Sequence, residues 1–354
     1  MKNEDLSDLR ARIDALDAKL LDLLNQRAAL AQEVGRRKNG QVYRAEREAQ
    51  VLARVRQLNR GPLGGDAVAF LFREIMSACR ALEEPLRIAF LGPEGTFSQM
   101  AAHKHFGHAV TSLAVATIDE AFRAVEAGRA DYAVVPVENS TEGAVSRTLD
   151  LIVGSPLQIC GEVLLPVHQN LLRKRAGLDG LVRVLSHAQS LAQCQHWLDH
   201  NLPSVECVNT ASNAEAARLA SEDEGAAAIA GEEAAKLYGL RVLAPHIEDE
   251  ANNTTRFFVL SNHDAGPSGR DKTSLVMSIP NRPGALVELL KPIARAGVSM
   301  SKLESRPSKS ANWEYVFFLD LEGHRQDSKI AELLKDVGRQ TVMLKVLGSY
   351  PAAA

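Results

Sequence analysis

The sequence predicts three parts in series: an all-α N-terminal part, an α/β middle part and an α+β, ferredoxin-like C-terminal part. Three observations predict it. Apolar residues recur with a helical period over residues 4–38; from Arg87 short β-branched runs alternate with helical stretches; and residues 273–350 read strand, helix, strand, strand, helix, strand.

The chain has 354 residues, more than one typical core holds. A net charge of −3 gives no global basic field, which argues against nucleic acid as a partner. No run of about 18 apolar residues occurs, so no membrane span is expected. The first residues, MKNEDLSDLR, are charged and lack the apolar stretch of a secretory signal, so a cytoplasmic location is expected. Cys79, Cys160, Cys194 and Cys207 are scattered without a CxxC pair. Buried thiols are expected rather than a disulfide framework or a zinc site, and no metal or cofactor is called for.

Leu6, Leu9, Ile13, Leu16, Leu20, Leu23, Leu24, Leu30 and Val34 set the first period, with no Pro and no Gly before Gly35. They predict a helix of about 35 residues, about 50 Å long. Helical stretches over about 45–59 and 67–82 follow, separated by RGPLGGD (60–66). One long and two short helices leave a wide apolar face, so a homodimer is expected, with a higher oligomer left open. Arg27 and Lys38 fall within about 20° of each other on the helix. Two cations on an apolar stripe need an anion unless they snorkel to solvent, and both readings stay open. Arg10 lies about 25 Å from Arg27, too far to share a small ligand within one chain, but an antiparallel partner would bring it to the other site. Arg47 and Glu48 begin the second helix, and Cys79 and Glu83 share a face of the third.

LRARIDALDAKLLDLLNQRAALAQEVGRRK followed by YRAERE resembles the all-α chorismate mutases over residues 5–84. The resemblance implies chorismate as substrate, a dianion whose rearrangement to prephenate needs no acid, base or nucleophile. The protein holds the reactive conformer and stabilises charge developing on the ether oxygen. By resemblance, Arg10 of a partner and Arg27 meet the carboxylates. Lys38 meets the ether oxygen, Arg47-Glu48 completes the pattern, and Glu48 takes the ring hydroxyl. Cys79 and Glu83 stand where many members carry Ser and Gln.

In the middle part, four strand ends open into polar loops that start helices: GPEGTFSQ (92–99), ENSTEGAV (138–145), SHAQS (186–190) and NTASN (209–213). A mostly parallel sheet would gather these loops at one edge, where helix N-termini favour an anion. Helix capping, through Thr96-x-x-Gln99 and Ser212-x-x-Glu215, is the other reading of each loop. The last strand enters through NNTTRFFVL (252–260), where Thr255 and Arg256 face opposite ways if the strand is regular.

GPEGTFS, VPVENSTEGAV, SHAQSLAQC and TTRFFVL preceded by Asn252 resemble the prephenate dehydratases over residues 87–261. The resemblance implies two α/β lobes, like type II periplasmic binding proteins, with prephenate in the cleft. It gives Thr255 the role of hydrogen-bond donor to the departing hydroxyl, aided by Arg256, which pairs a carboxylate. Thr96, Ser98, Asn139, Ser140, Thr141, Ser186, Gln189, Thr210 and Phe257 complete the expected substrate contacts.

NRPGALVELLKPIARAGVSMSKLESRP (281–307) resembles an ACT domain of the phenylalanine-responsive kind. The resemblance implies phenylalanine as effector, held by Gly284, Ala285, Leu286, Glu304, Ser305 and Arg306. A plain turn at Gly284 and a solvated edge at Glu304–Arg306 form the other reading. The expected domains are 1–86, 87–262 and 273–350. The expected function is a fused mutase and dehydratase, feedback-inhibited by phenylalanine. The alternatives are arogenate (cyclohexadienyl) dehydration or a non-catalytic two-lobed regulatory binding protein.

Glu83 can donate a hydrogen bond to an ether oxygen only when protonated, whereas Gln donates at any pH. Mutase activity should therefore rise on acidification, and Glu83→Gln should flatten that rise in a pH–rate profile; an unchanged profile contradicts the assignment.

Overall fold

The computed structural model describes residues 6–37, 43–279, 282–307 and 315–353. The chain forms two compact units, Met1–Leu86 with Phe106–Thr111, and Arg87–His105 with Ser112–Ala354.

The first unit is helical: α1 (Leu6–Arg37), α2 (Ala45–Leu58) and α3 (Gly65–Ala81). α1 runs 32 residues, through Gly35, and buries none of its side chains. Leu6, Ile13, Leu16, Leu20, Leu23, Leu30 and Val34 are each at least half exposed. α2 and α3 pack through Leu52, Ala69 and Met76. No helix among the described residues is long and apolar enough to cross a membrane.

The second unit begins with a lobe built on β1 (Arg87–Leu91), α4 (Phe97–Phe106), β2 (Thr111–Val115), α5 (Ile118–Glu126), β3 (Tyr132–Asn139), β4 (Gly143–Ala144), α6 (Ser146–Gly154) and β5 (Gln158–Pro166). A second lobe follows: β6 (Asn170–Arg173), β7 (Arg183–Ser186), α7 (Ala188–Gln193), α8 (Gln195–Asn201), β8 (Glu206–Asn209), α9 (Asn213–Glu222), β9 (Ala226–Ala230), α10 (Glu232–Tyr238) and β10 (Arg241–Ala244). The chain then returns to the first lobe as β11 (Thr254–Ser261). Sheet order is β2-β1-β3-β11-β5 in the first lobe and β10-β6-β9-β7-β8 in the second.

The sheets are mixed, not mostly parallel as the strand–helix repetition predicts. β1–β3, β7–β8 and β7–β9 are parallel. β11 is antiparallel to both its neighbours, and β6 to both of its own. The reason is topological: strands that carry the chain between lobes enter their sheets from the opposite end. In the second lobe, strand alternation splits the core. Leu172, Leu185 and Ala228 pack on one face, while Leu171, Val184, Ala227 and Ile229 pack on the other.

The C-terminal part is β12 (Asp271–Ser278), α11 (Ala285–Arg295), β13 (Met300–Pro307), β14 (Tyr315–Glu322), α12 (Ser328–Gly338) and β15 (Met343–Pro351). Its antiparallel sheet has the order β13-β14-β12-β15, the ferredoxin-like arrangement. Leu275, Met277, Leu289, Leu319 and Leu333 fill the space between sheet and helices.

β15 lies against β5 of the first lobe. At Gly348 the approach is so close that a Cβ would overlap the Ile159 carbonyl oxygen. Gly348→Ala should therefore destabilise the second unit by about 1–3 kcal/mol, the usual scale of overpacking. Urea unfolding checks this, and a wild-type midpoint would contradict it.

Candidate active sites

In the helical unit, Glu48 is buried on α2 and forms an ion pair with Arg80, 2.8 Å away. Burial raises the Glu48 pKa above the usual carboxylate range, and Arg80, Arg73 and Arg27 oppose the rise. Arg27 is half-buried on α1, while Arg10 and Arg47 are exposed. Cys79 is buried. Glu83 is exposed just past α3, and its carboxylate lies where a Cβ on Gly35 would go. Lys38 lies outside the described residues. The unit thus brings Glu48, Arg80 and Arg27 into one electrostatic neighbourhood and sets Glu83 against the last turns of α1. Arg80 was not among the expected site residues; its partner is 32 positions away in sequence.

In the second unit, Thr255 pairs with Asn139 across β11 and β3. Thr255 Oγ1 accepts a hydrogen bond from Asn139 Nδ2 at 2.9 Å. The amide orientation follows from the network: Asn139 Oδ1 accepts from the Thr141 N–H, the Thr141 hydroxyl and the Glu142 N–H, so Nδ2 must donate. Nδ2 also donates to Asn253 Oδ1 at 2.8 Å. Asn253 in turn donates to Gln193 of the second lobe, whose amide reaches the Thr141 hydroxyl. Thr141, Glu142, Gln193, His196, Glu248 and Asn253 are among the residues that line a cavity of about 280 Å³ at this point. Half-buried Thr255 appears in this network only as an acceptor among the described residues, so its proton remains available.

Five of the other expected hydroxyls, those of Thr96, Ser140, Thr141, Ser186 and Thr210, give their protons to the protein. Thr96 donates to the Leu91 carbonyl. Ser140 donates to the Asn252 carbonyl while accepting from the Thr254 N–H. Buried Ser186 donates to the Ile229 carbonyl and contacts Asn213, and Thr210 donates to the Ser212 carbonyl. Four loops rich in hydroxyls are thus largely turn and cap chemistry. Ser212 caps α9 by accepting from the Glu215 N–H, whereas Gln99 reaches the Gly95 N–H rather than that of Thr96. Ser98 is buried, Gln189 is half-buried, and Phe257 is a core side chain, 1% exposed, rather than a ligand contact. β11 shifts register between Arg256 and Phe257, which breaks the alternation there.

Arg256 departs furthest from expectation. It does not reach toward a substrate carboxylate. It points to the side of β11 opposite Thr255, and its guanidinium is buried. Nε donates to Glu162 Oε2 at 2.8 Å, Nη1 to Asp320 Oδ2 at 2.5 Å and Nη2 to the Tyr350 hydroxyl at 3.1 Å. Ser274 gives its proton to Asp320, so Tyr350 donates to Ser274. Lys272 and the Ala353 N–H complete the shell of Glu162. Burial acts to lower the Arg256 pKa, but Tyr350, Asp320 and Glu162 together hold it above the usual value. Burial likewise acts to raise Glu162, and Arg256 and Lys272 outweigh it, leaving Glu162 below the usual carboxylate range. Burial keeps the Tyr350 phenol protonated.

β13 also grips the first lobe. Lys302 meets Glu138 at 2.7 Å, next to Asn139, and Arg306 meets Asp150 at 3.5 Å. Arg306 therefore does not lie on a solvated edge. Gly284 caps α11 with φ 79°, Ala285 is buried, Leu286 and Glu304 are half-buried and Ser305 is exposed.

Three families match the chain in order: chorismate mutase type II over residues 9–84, prephenate dehydratase over 88–265 and ACT domain over 273–339. Fold and site together define a helical mutase joined to a two-lobed dehydratase and an ACT domain. A bifunctional chorismate mutase/prephenate dehydratase from Neisseria gonorrhoeae is 56% identical over 348 residues, covering 97% of this chain and 96% of that one. One from Pseudomonas aeruginosa is 52% identical over 99% of this chain and 98% of that one. The crystal structure of prephenate dehydratase from Arthrobacter aurescens in complex with L-Phe shows 37% identity and a TM-score of 0.69, covering 75% of this chain and 90% of that one. The chain belongs to the bifunctional chorismate mutase/prephenate dehydratase family and is an enzyme with an isomerase and a lyase activity.

Glu162, with its lowered folded-state pKa, contributes stability above the unfolded carboxylate pKa. That contribution is lost as pH falls through the folded value. Glu162→Gln should flatten the acid limb of a stability-against-pH curve measured by urea unfolding between about pH 3 and 6. An acid limb as steep as the wild type's would contradict this.

Proposed function

We propose that chorismate is rearranged at the helical unit and that the resulting prephenate is dehydrated at Thr255, under control of phenylalanine on the ACT domain. The observation that carries the second step is the Thr255 hydroxyl, which is oriented by Asn139 and still holds its proton. As the carboxylate leaves prephenate as carbon dioxide, its bonding pair enters the ring and the C4 hydroxyl departs. A hydrogen bond from Thr255 helps that group leave as water. Phenylpyruvate is the product, and solvent restores the threonine proton.

At the first site, half-buried Arg27 would take a carboxylate of chorismate, and Lys38 would stabilise the ether oxygen. Arg10 belongs to the partner's site. The reading of a homodimer rests on α1, whose apolar stripe has no cover among the described residues. The domains in this reading are residues 1–86, 87–262 and 273–350, in a cytosolic enzyme whose four cysteines form no disulfide among the described residues.

Phenylalanine would bind through the segments at Gly284–Leu286 and Glu304–Arg306. β13 carries the second of these and holds Glu138 through Lys302, one residue from Asn139. β14 holds Arg256 through Asp320, one residue from Thr255. An effector that shifts β13 and β14 therefore acts on both partners of the Asn139–Thr255 hydrogen bond.

With chorismate supplied and both products followed, Arg27→Ala should lose mutase turnover at least about a hundredfold and keep dehydratase turnover on added prephenate. Thr255→Ala should do the reverse. Loss of both activities in either variant would contradict two separate sites. Lys302→Met should raise the phenylalanine concentration for half-inhibition about tenfold or more while leaving uninhibited turnover within about twofold; unchanged inhibition would contradict the route through Glu138.

A further inference from the structure

The chain passes between the lobes of the second unit twice, from β5 to β6 and from β10 to β11. The two crossings are hydrogen-bonded to each other: the Val167 N–H donates to the Asn253 carbonyl and the Ile247 N–H to the Gln169 carbonyl, both at 2.8 Å. Any change in the angle between the lobes must be absorbed here.

His168 lies on the first crossing, and His246 and Glu248 lie on the second. Their rings and carboxylate converge. The two imidazoles stack at 4.1 Å between centroids with 11° between planes. Glu248 Oε1 is 2.8 Å from His168 Nδ1. One ligand atom from each of the three residues lies within 4.8 Å of the others. The carboxylate is pre-oriented: its other oxygen, Oε2, accepts from the Gln169 N–H at 2.8 Å, and the side chain is 3% exposed. His246 is the one non-glycine residue with positive φ among the described residues, at 53°. Its N–H donates to Asn170 Oδ1. A histidine held in the left-handed region carries a conformational cost that an ordinary surface turn avoids by using glycine or asparagine.

We propose that His168, His246 and Glu248 form a binding site for a divalent transition metal, and that the bound ion staples the two crossings and slows dehydration. The donor chemistry selects the ion. Two neutral imidazoles and one carboxylate suit zinc, cobalt or nickel rather than magnesium or calcium, which favour all-oxygen shells. Bond lengths of about 2.0–2.2 Å to such an ion require donors about 3.3 Å apart. His168 and Glu248 are nearer than this already, and exposed His246 closes the remainder by rotating its side chain. The buried carboxylate, fixed by a backbone amide, plays the orienting part that neighbouring groups play around protein-bound metals. Three protein ligands leave positions for water.

The site shares Glu248 with the lining of the cavity beside Asn253 but includes neither Thr255 nor Asn139. Its effect would act on motion of the lobes, so it should appear in dehydratase turnover and not in mutase turnover of the same chain. That activity arm rests on the dehydratase reading of Thr255; the binding arm does not.

The test uses the full chain and cobalt(II), whose visible ligand-field absorption reports coordination. The wild type should bind one cobalt(II) per chain with absorption characteristic of nitrogen and oxygen ligands. His246→Asn keeps a residue that tolerates the left-handed backbone but removes the imidazole. It should weaken binding about tenfold or more, as should Glu248→Gln. His200→Ala, at the exposed end of α8, should bind as the wild type does. Zinc at saturating concentration should lower wild-type dehydratase turnover severalfold, spare mutase turnover, and have no effect on His246→Asn. No cobalt binding by the wild type, equal affinity in His246→Asn and Glu248→Gln, or zinc inhibition that persists in His246→Asn would each overturn the proposal.

Discussion

The second unit depends on one buried cation. Arg256 sits where a strand of the first lobe meets the sheet of the ACT domain, and four of its five N–H donors go to Glu162, Asp320 and Tyr350. Such a group is tolerable only when fully partnered, because a charge left alone in this environment costs several kcal/mol, on the order of 3–5. The partners come from β5, β14 and β15, so the ion cluster ties the ACT sheet to the dehydratase sheet at one point. The backbone approach at Gly348 and the Lys345 ammonium, which donates to the Ile152, Val153 and Ser155 carbonyls, reinforce that junction.

Strand alternation then turns the junction into a functional arrangement. Thr255 and Arg256 are neighbours in sequence and face opposite sides of β11. One side carries a hydroxyl that Asn139 orients and leaves free to donate. The other carries a cation locked to the ACT domain. A displacement of the ACT sheet has a short mechanical route to the hydroxyl, along one strand and through one hydrogen bond. In the helical unit the governing constraint is different: α1 is too long and too apolar on one stripe for α2 and α3 to cover, which is why a second copy belongs in the reading of that site.

Much of this was legible in the sequence, and what was missed has a physical pattern. Helical period, β-branched runs and the βαββαβ order located α1 and nearly all of the ACT elements within a few residues. Alternation also announced that Thr255 and Arg256 diverge, yet the motif invited both to be placed on substrate. Nothing local reveals that Arg256 is buried, since Glu162 and Asp320 lie 94 and 64 residues away. The hydroxyl-rich loops were ambiguous for a related reason. Composition shows that Thr96, Ser186 and Thr210 can donate, but only three-dimensional placement shows that their protons already go to backbone carbonyls. His168 and His246 fell outside every pattern because the fold, not spacing, brings the two crossings together.

A double-mutant cycle on Arg256→Met and Asp320→Leu, read as unfolding free energy in urea, bears most directly on the buried cluster. Each single change strands a charge and should cost about 3–5 kcal/mol, whereas the double change removes a matched pair and should cost far less than the sum. Two single costs that are small and simply add would mean that the cluster is solvated, and that Thr255 is not tied to the ACT domain through it.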